Sequence, residues 1–216
     1  KDPVISKQIL NEISFPCSPD SILLVGFRFQ EQRHLTGQSL GKIARDRNIS
    51  PEEAVAELIV ADDSRIQSVF FSMSEKNVKK KIALPFMSFC SDAGSIANEG
   101  AFLNSNPHPR TYGSFARLLG KYVRDENIIP LEEAIRRLTF FPASNLKISK
   151  RGLLKQGYYA DIVIFDPEKI QDHSTFQEPH QYSTGVLHVF VNGTQVLKDG
   201  EHTGLKPGRV VRGPGW

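Results

Sequence analysis

Phe86 to Gly94 reads FMSFCSDAG, a run of strand-forming residues that ends abruptly in Ser91-Asp92 and then in small, turn-forming Ala93-Gly94. Pro85 breaks the chain just before it, so the run predicts a strand over Phe86–Cys90. An aspartate in that place has two readings. As an isolated residue it ordinarily caps a turn, its carboxylate accepting from nearby backbone N–H groups. At the carboxyl end of a strand in a parallel α/β sheet it would stand where such folds bind ligands.

The pattern on either side favours an α/β chain. Val4, Ile5, Ile9, Leu10 and Ile13 fall at helical spacing and predict a short amphipathic helix. Ser21–Phe27 (SILLVGF) predicts a buried strand, and a helix follows over Ser39–Arg47. A second helix, Pro51–Val60, has a full start signal: Ser50 as cap, Pro51 at the first helical position and Glu53 closing a capping box. These two helices form a helical insertion near 36–61. Ser68–Met73 reads as a strand and Glu75–Lys81 as a short helix, leading back to Phe86. Strands alternating with helices predict parallel pairing.

Gly94–Pro109 is rich in Gly, Asn, Ser and Pro and has no periodic pattern, a length of loop that is often functional. Helices resume at Phe115–Val123 and Leu131–Leu138, the latter with Glu132-Glu133 in its first turn and Arg136-Arg137 in its last, matching the helix dipole. One further helical turn is expected at Pro142–Leu146. After Gly152 the character changes to short β-rich runs: Ala160–Phe165, Val186–Val191 and Thr194–Leu197. Asn192-Gly193 between the last two is a hairpin signal, since a type I′ turn needs positive φ at both central residues. A boundary near Lys150 divides an α/β segment, 1–150, from a β segment, 151–216.

Composition narrows the function. The 216 residues carry 27 basic and 24 acidic side chains, a net charge of +3, interspersed along the chain, so a nucleic-acid partner has little support. The dense cluster Lys79-Lys80-Lys81 reads as the solvated end of a helix. Two cysteines, Cys17 and Cys90, do not make a disulfide framework; one bridge stays open, and Cys90 inside an apolar run reads as a buried thiol. No stretch approaches about 18 uninterrupted apolar residues, so no membrane-spanning helix is expected. Lys1-Asp2-Pro3 has no apolar run behind it as a secretory leader would, and a start this abrupt is expected of a mature or truncated product.

The residues with chemical potential gather around Asp92 and the loop that ends Asn106-Pro107-His108-Pro109-Arg110 and runs into Thr111-Tyr112. A carboxylate at a strand end can serve as a general base or hydrogen-bond a metal-bound water. Arg110 offers a fork matched to a substrate carboxylate. His108, held between prolines, is either a proton carrier or a structural imidazole. The six histidines, His34, His108, His173, His180, His188 and His202, include no H-x-H pair and no helical i, i+4 pair, so no complete metal site is recognisable. There is no G-x-S-x-G elbow, P-loop or dinucleotide fingerprint.

Several long motifs then occur in order: FCSDAG (Phe89–Gly94), HPRTYGSFARLLGKYVR (His108–Arg124), LEEAIRRLTFFPASNL (Leu131–Leu146), RGLLKQGYYADIVIFDP (Arg151–Pro167) and VLHVFVNGTQVLKDGEHTGLKPGR (Val186–Arg209). Together, and with SLGKIARDRNISPEEAVAELI from Ser39 onward, they resemble the C-terminal part of the D-aminoacylases, N-acyl-D-amino-acid deacylases of the amidohydrolase superfamily. The resemblance implies the C-terminal part of a metal-dependent (β/α)8 barrel plus part of a small β-sandwich. It implies a zinc centre of one or two ions at which Asp92 acts, handling the proton between attacking water and departing amide nitrogen. It places Arg110 on the carboxylate of the acylated amino acid, with Ser91, Tyr112 and His108 as further substrate contacts.

Two departures accompany it: Ala93 is inserted before the glycine of the family's Ser-Asp-Gly motif, and the loop that follows is longer. A complete barrel takes about 250 residues, so the family's H-x-H and remaining ligands are expected upstream of Lys1. On that expectation the chain is a C-terminal fragment, inactive alone and completed by its N-terminal portion or a homo-oligomer. A small-molecule N-acyl amino acid is the expected ligand and the cytoplasm the expected location. Other amides, such as a cyclic amide or a dipeptide, and a noncatalytic binding module are the alternatives.

Overall fold

Residues 3–214 are described by the structure, a computed structural model; Lys1-Asp2, where the leader was weighed, lie outside them. The chain forms two units from interleaved segments: Lys1–Ser74, Ser95–Pro109 and Thr175–His180 in the first, Glu75–Gly94, Arg110–Ser174 and Gln181–Trp216 in the second.

In the first unit, helix α1 (Pro3–Glu12) forms as predicted, but its apolar residues Val4, Ile5 and Ile9 stand exposed. Strand β1 (Ile22–Gly26), helices α2 (Leu40–Arg47) and α3 (Pro51–Asp62) and strand β2 (Gln67–Phe70) follow. The α3 capping box closes in both directions: the Ser50 hydroxyl accepts from the Glu53 N–H at 3.2 Å, and the Glu53 carboxylate accepts from the Ser50 N–H at 2.8 Å. Ile22 and Leu24 of β1 bury against Leu40, Ile43, Ala54 and Leu58 of the two helices, each large side chain contributing about 1.5–3 kcal/mol of hydrophobic stabilisation. Asp62, fully buried at the end of α3, accepts from the backbone N–H groups of Arg28 (3.0 Å) and Phe29 (2.9 Å) and from the Ser64 hydroxyl. That carboxylate turns the chain as it leaves β1.

The second unit holds α4 (Glu75–Ala83), α5 (Arg110–Arg117), which continues as a π-helical stretch over Leu118–Asp125, then α6 (Leu131–Leu138) and α7 (Phe140–Asn145). An antiparallel sheet in the order β3 (Ile162–Phe165), β4 (Val186–Val191), β5 (Thr194–Lys198), β6 (Glu201–His202) completes it. Asn192 and Gly193 make the β4–β5 turn with φ of 50° and 82°, the two positive angles that the hairpin signal required. Leu118, Leu119, Tyr122 and Val123 bury against Ile82, Ala134 and Ile170.

Two sequence expectations change here. The paired strands among the described residues are antiparallel, β1 with β2 and β3 through β6 in sequence, so the helix–strand alternation of the first half does not produce parallel pairing. Phe86–Cys90 is an irregular segment instead of a strand: a strand exists only through a neighbour's ladder, and no described residue pairs with it in a ladder. Cys90 is correspondingly exposed, against the expectation of a buried thiol, and both Cys17 and Cys90 are free. No helix among the described residues is long and apolar enough to cross a membrane.

Candidate functional site

The segment carrying Asp92 runs off α4 through Pro85 with little backbone bonding of its own beyond the Met87 N–H to Leu84 carbonyl contact at 3.2 Å. At its end Asp92 adopts φ +48°. This is the left-handed conformation that aspartate tolerates better than most residues. No strand leads into it, its backbone is left-handed, and its side chain projects with 79% of its surface exposed. One carboxylate oxygen, Oδ2, lies 3.0 Å from Nη2 of Arg110.

Arg110 opens α5 directly after Pro109, five residues earlier than the helix start predicted at Phe115. Proline fits just outside a helix's first turn, where no backbone donor is needed. The Ser114 hydroxyl back-bonds to the Arg110 carbonyl at 2.8 Å. Farther along the same helix the glycines Gly113 and Gly120 allow close backbone approach. A Cβ on Gly113 would stand 3.0 Å from the Cβ of Asp172, and one on Gly120 only 2.6 Å from the Ile170 carbonyl oxygen. Arg117 on this helix pairs with the largely buried Asp172 at 3.1 Å, so Arg110 is mounted on a seated element.

Tyr112 is half-buried, its ring edge-to-face with Tyr182 at 5.4 Å, and its carbonyl accepts from the Ser183 hydroxyl at 2.7 Å. Burial, with a smaller contribution from Tyr182, raises the Tyr112 phenol above its ordinary pKa, so it stays neutral at physiological pH. Ser91 is half-buried beside Asp92. His108 belongs to the first unit, where its ring packs edge-to-face on Phe176 at 5.0 Å, and Phe176 in turn on Phe71 at 4.7 Å.

A metal ion needs convergent donors, and among the described residues no group of three or more His, Cys, Asp or Glu side chains converges to hold one. These residues alone do not fit a zinc coordination sphere.

One residue escaped the sequence reading. Arg137 of α6 was assigned to the helix dipole, yet its side chain is wholly buried. Its Nε donates to the Met87 carbonyl at 2.6 Å and its Nη1 to the Ile82 carbonyl at 2.7 Å, while the guanidinium lies 4.4 Å from the centre of the Phe89 ring. The Glu133 carboxylate stands 4.0 Å away. Burial lowers the Arg137 pKa from its ordinary value, though a guanidinium stays charged. The available signal was spacing: Arg137 lies three positions after Ala134, on the face that helical periodicity turns inward.

Residues 103–197 match the amidohydrolase family model Amidohydro_3. The match makes this stretch, less than half of the chain, similar to that family. The chain is similar to the D-aminoacylase of Alcaligenes xylosoxydans xylosoxydans, at 35% identity over 82% of this chain and 34% of that protein. It is also similar to the N-acyl-D-aspartate deacylase of the same organism, at 36% identity over 82% of this chain and 33% of that protein. The chain thus spans about a third of the length of these curated relatives. Among solved structures, a crystal structure of D-aminoacylase superposes with a TM-score of 0.76 at 34% identity, covering 88% of this chain and 37% of that one. The N-acyl-D-glutamate deacylase from Bordetella bronchiseptica, complexed with zinc and a phosphonate inhibitor, superposes with a TM-score of 0.72 at 32% identity, covering 86% and 37%.

Proposed function

We propose that this chain supplies part of the active site of a hydrolase that cleaves the amide bond of N-acyl-D-amino acids, giving a carboxylate and a free D-amino acid. The observation that carries the reading is the Asp92–Arg110 contact at 3.0 Å: a carboxylate and a guanidinium, exposed and adjacent, on two separate segments of one unit. Arg110 binds the substrate's α-carboxylate through its planar fork and thereby orients the scissile amide. Asp92 accepts the proton of the attacking water and delivers it to the departing amide nitrogen, so that the amine leaves neutral and the acyl carbon retains the water oxygen. Ser91 and Tyr112 are further substrate contacts in this reading, the neutral Tyr112 phenol as a hydrogen-bond donor.

Residues 1–150 would form the C-terminal part of a (β/α)8 barrel, and 151–216 part of a β-sandwich. The metal dependence of the reading rests on relatives: one was solved with zinc, another with copper, and a third is described by its binuclear metal centre. Zinc, when bound, would lower the pKa of the attacking water. Asp92 is the residue of this chain offered to that centre, and the other ligands would come from residues outside those described. The test is hydrolysis by the native, zinc-replete protein of an N-acyl-D-amino acid beside the same compound with its carboxylate amidated. Turnover of the free acid alone supports the reading; no turnover of either overturns it.

A further inference from the structure

Asp92 is exposed, so little packs against its side chain, and its location is inherited from the backbone that precedes it. That backbone, residues 84–92, lacks a strand ladder. From α6, Arg137 takes the Met87 carbonyl of this segment and the Ile82 carbonyl at the end of α4, and its guanidinium carbon lies over the Phe89 ring. Arg136 adds a long contact to the Pro85 carbonyl at 3.5 Å while held by Glu133 at 2.7 and 2.8 Å. Arg137 is wholly buried, its Nη2 has no hydrogen-bond partner, and the Glu133 carboxylate is at 4.0 Å, so the carbonyl contacts and the Phe89 ring offset only part of the cost of burying the charge. A hydrophobic residue of similar length would fill the same volume without that cost; what it would lack is the rigid fork that reaches two carbonyls five residues apart.

We propose that Arg137 is a positioning residue for the reaction: its fork fixes the path of residues 82–89 and so sets Asp92 opposite Arg110. The inference rests on the functional reading above. It assigns Arg137 no contact with substrate; its effect passes through the backbone of Met87 and the Phe89 ring.

The test uses Arg137→Lys, Arg137→Met and Asp62→Ala in the native, zinc-replete protein, with each variant's melting temperature measured and all assays run well below it. Asp62→Ala removes a buried carboxylate of the first unit, whereas Arg137 and the Asp92 segment belong to the second, and serves as the control for lost stability. Misplacement of a reacting group by about 1 Å costs roughly 100-fold. Arg137→Met is therefore expected to lower kcat roughly 100-fold and Arg137→Lys about tenfold, each with KM within twofold, whereas Asp62→Ala leaves kcat unchanged.

An independent readout needs no turnover. A nitroxide on the exposed Cys90, in a Cys17→Ser background, reports the mobility of the segment two residues from Asp92. Mobility should rise in both Arg137 variants and not in Asp62→Ala. The proposal is overturned if label mobility and kcat are unaltered in the Arg137 variants, or if Asp62→Ala reproduces their effects at equal stability loss. Failure of the functional reading looks different: Asp92→Asn would then retain activity, while the Cys90 label would still respond to Arg137.

Discussion

Nη2 of Arg110 lies 3.0 Å from Oδ2 of Asp92, so the two residues on which the functional reading depends are paired with each other. Both side chains are substantially exposed, and pairs of this kind contribute only about 0.2–1 kcal/mol. A substrate carboxylate that approaches the Arg110 fork competes with Asp92 for it. Removing the competitor should therefore help carboxylate binding. In Asp92→Asn, an unreactive N-acyl-D-amino acid analogue is expected to bind as tightly as in the parent protein or up to about fivefold tighter, the ceiling set by the worth of the pair. Titration calorimetry at two ionic strengths checks this, with the difference shrinking at high salt.

Asp62 offers a stability prediction in the first unit. Burial by itself raises its pKa, but hydrogen bonds from Ser64 and from the N–H groups of Phe29 and Arg28 outweigh it and hold the carboxyl below its ordinary value of 3.8. A group depressed in the folded state stabilises fully above its unfolded value and loses that contribution as pH falls through the folded one. Unfolding free energy should therefore drop as pH is lowered below about 4, and less steeply in Asp62→Ala. At neutral pH, Asp62→Ala leaves two backbone donors unsatisfied and is expected to cost about 2 kcal/mol, read from urea melts.

Gly120 sets the spacing between the π-helical stretch and Ile170. Because an added Cβ would stand 2.6 Å from a backbone carbonyl, Gly120→Ala cannot be relieved by a side-chain rotation and is expected to destabilise by about 1–3 kcal/mol. Gly208→Ala, with nothing within 4 Å of the new methyl, should be close to neutral in the same thermal melts.

Much of this local structure was legible because the signals are short-range. Ser50-Pro51-Glu53 fixes the start of α3, and Asn192-Gly193 fixes the β4–β5 turn, through geometry contained within four residues. What failed depends on distant partners. Phe86–Cys90 has strand-like composition, but composition does not supply a neighbouring strand, and without one Cys90 is exposed. The burial of Arg137 was hidden because a charged residue in a last helical turn ordinarily faces solvent; its carbonyl partners lie 50 and 55 residues away. Of the proposed site, Asp92 and Arg110 stand out in the sequence as a carboxylate and a guanidinium, whereas their contact and the fork behind it are tertiary facts.

The most direct measurement is steady-state kinetics of the native, zinc-replete protein and its Asp92→Asn and Arg110→Ala variants on one N-acyl-D-amino acid. If Asp92 moves the proton and Arg110 holds the carboxylate, Asp92→Asn lowers kcat roughly 1,000-fold with KM little changed. Arg110→Ala then mainly raises KM. The opposite assignment, with kcat lost at Arg110 and only KM altered at Asp92, contradicts the account.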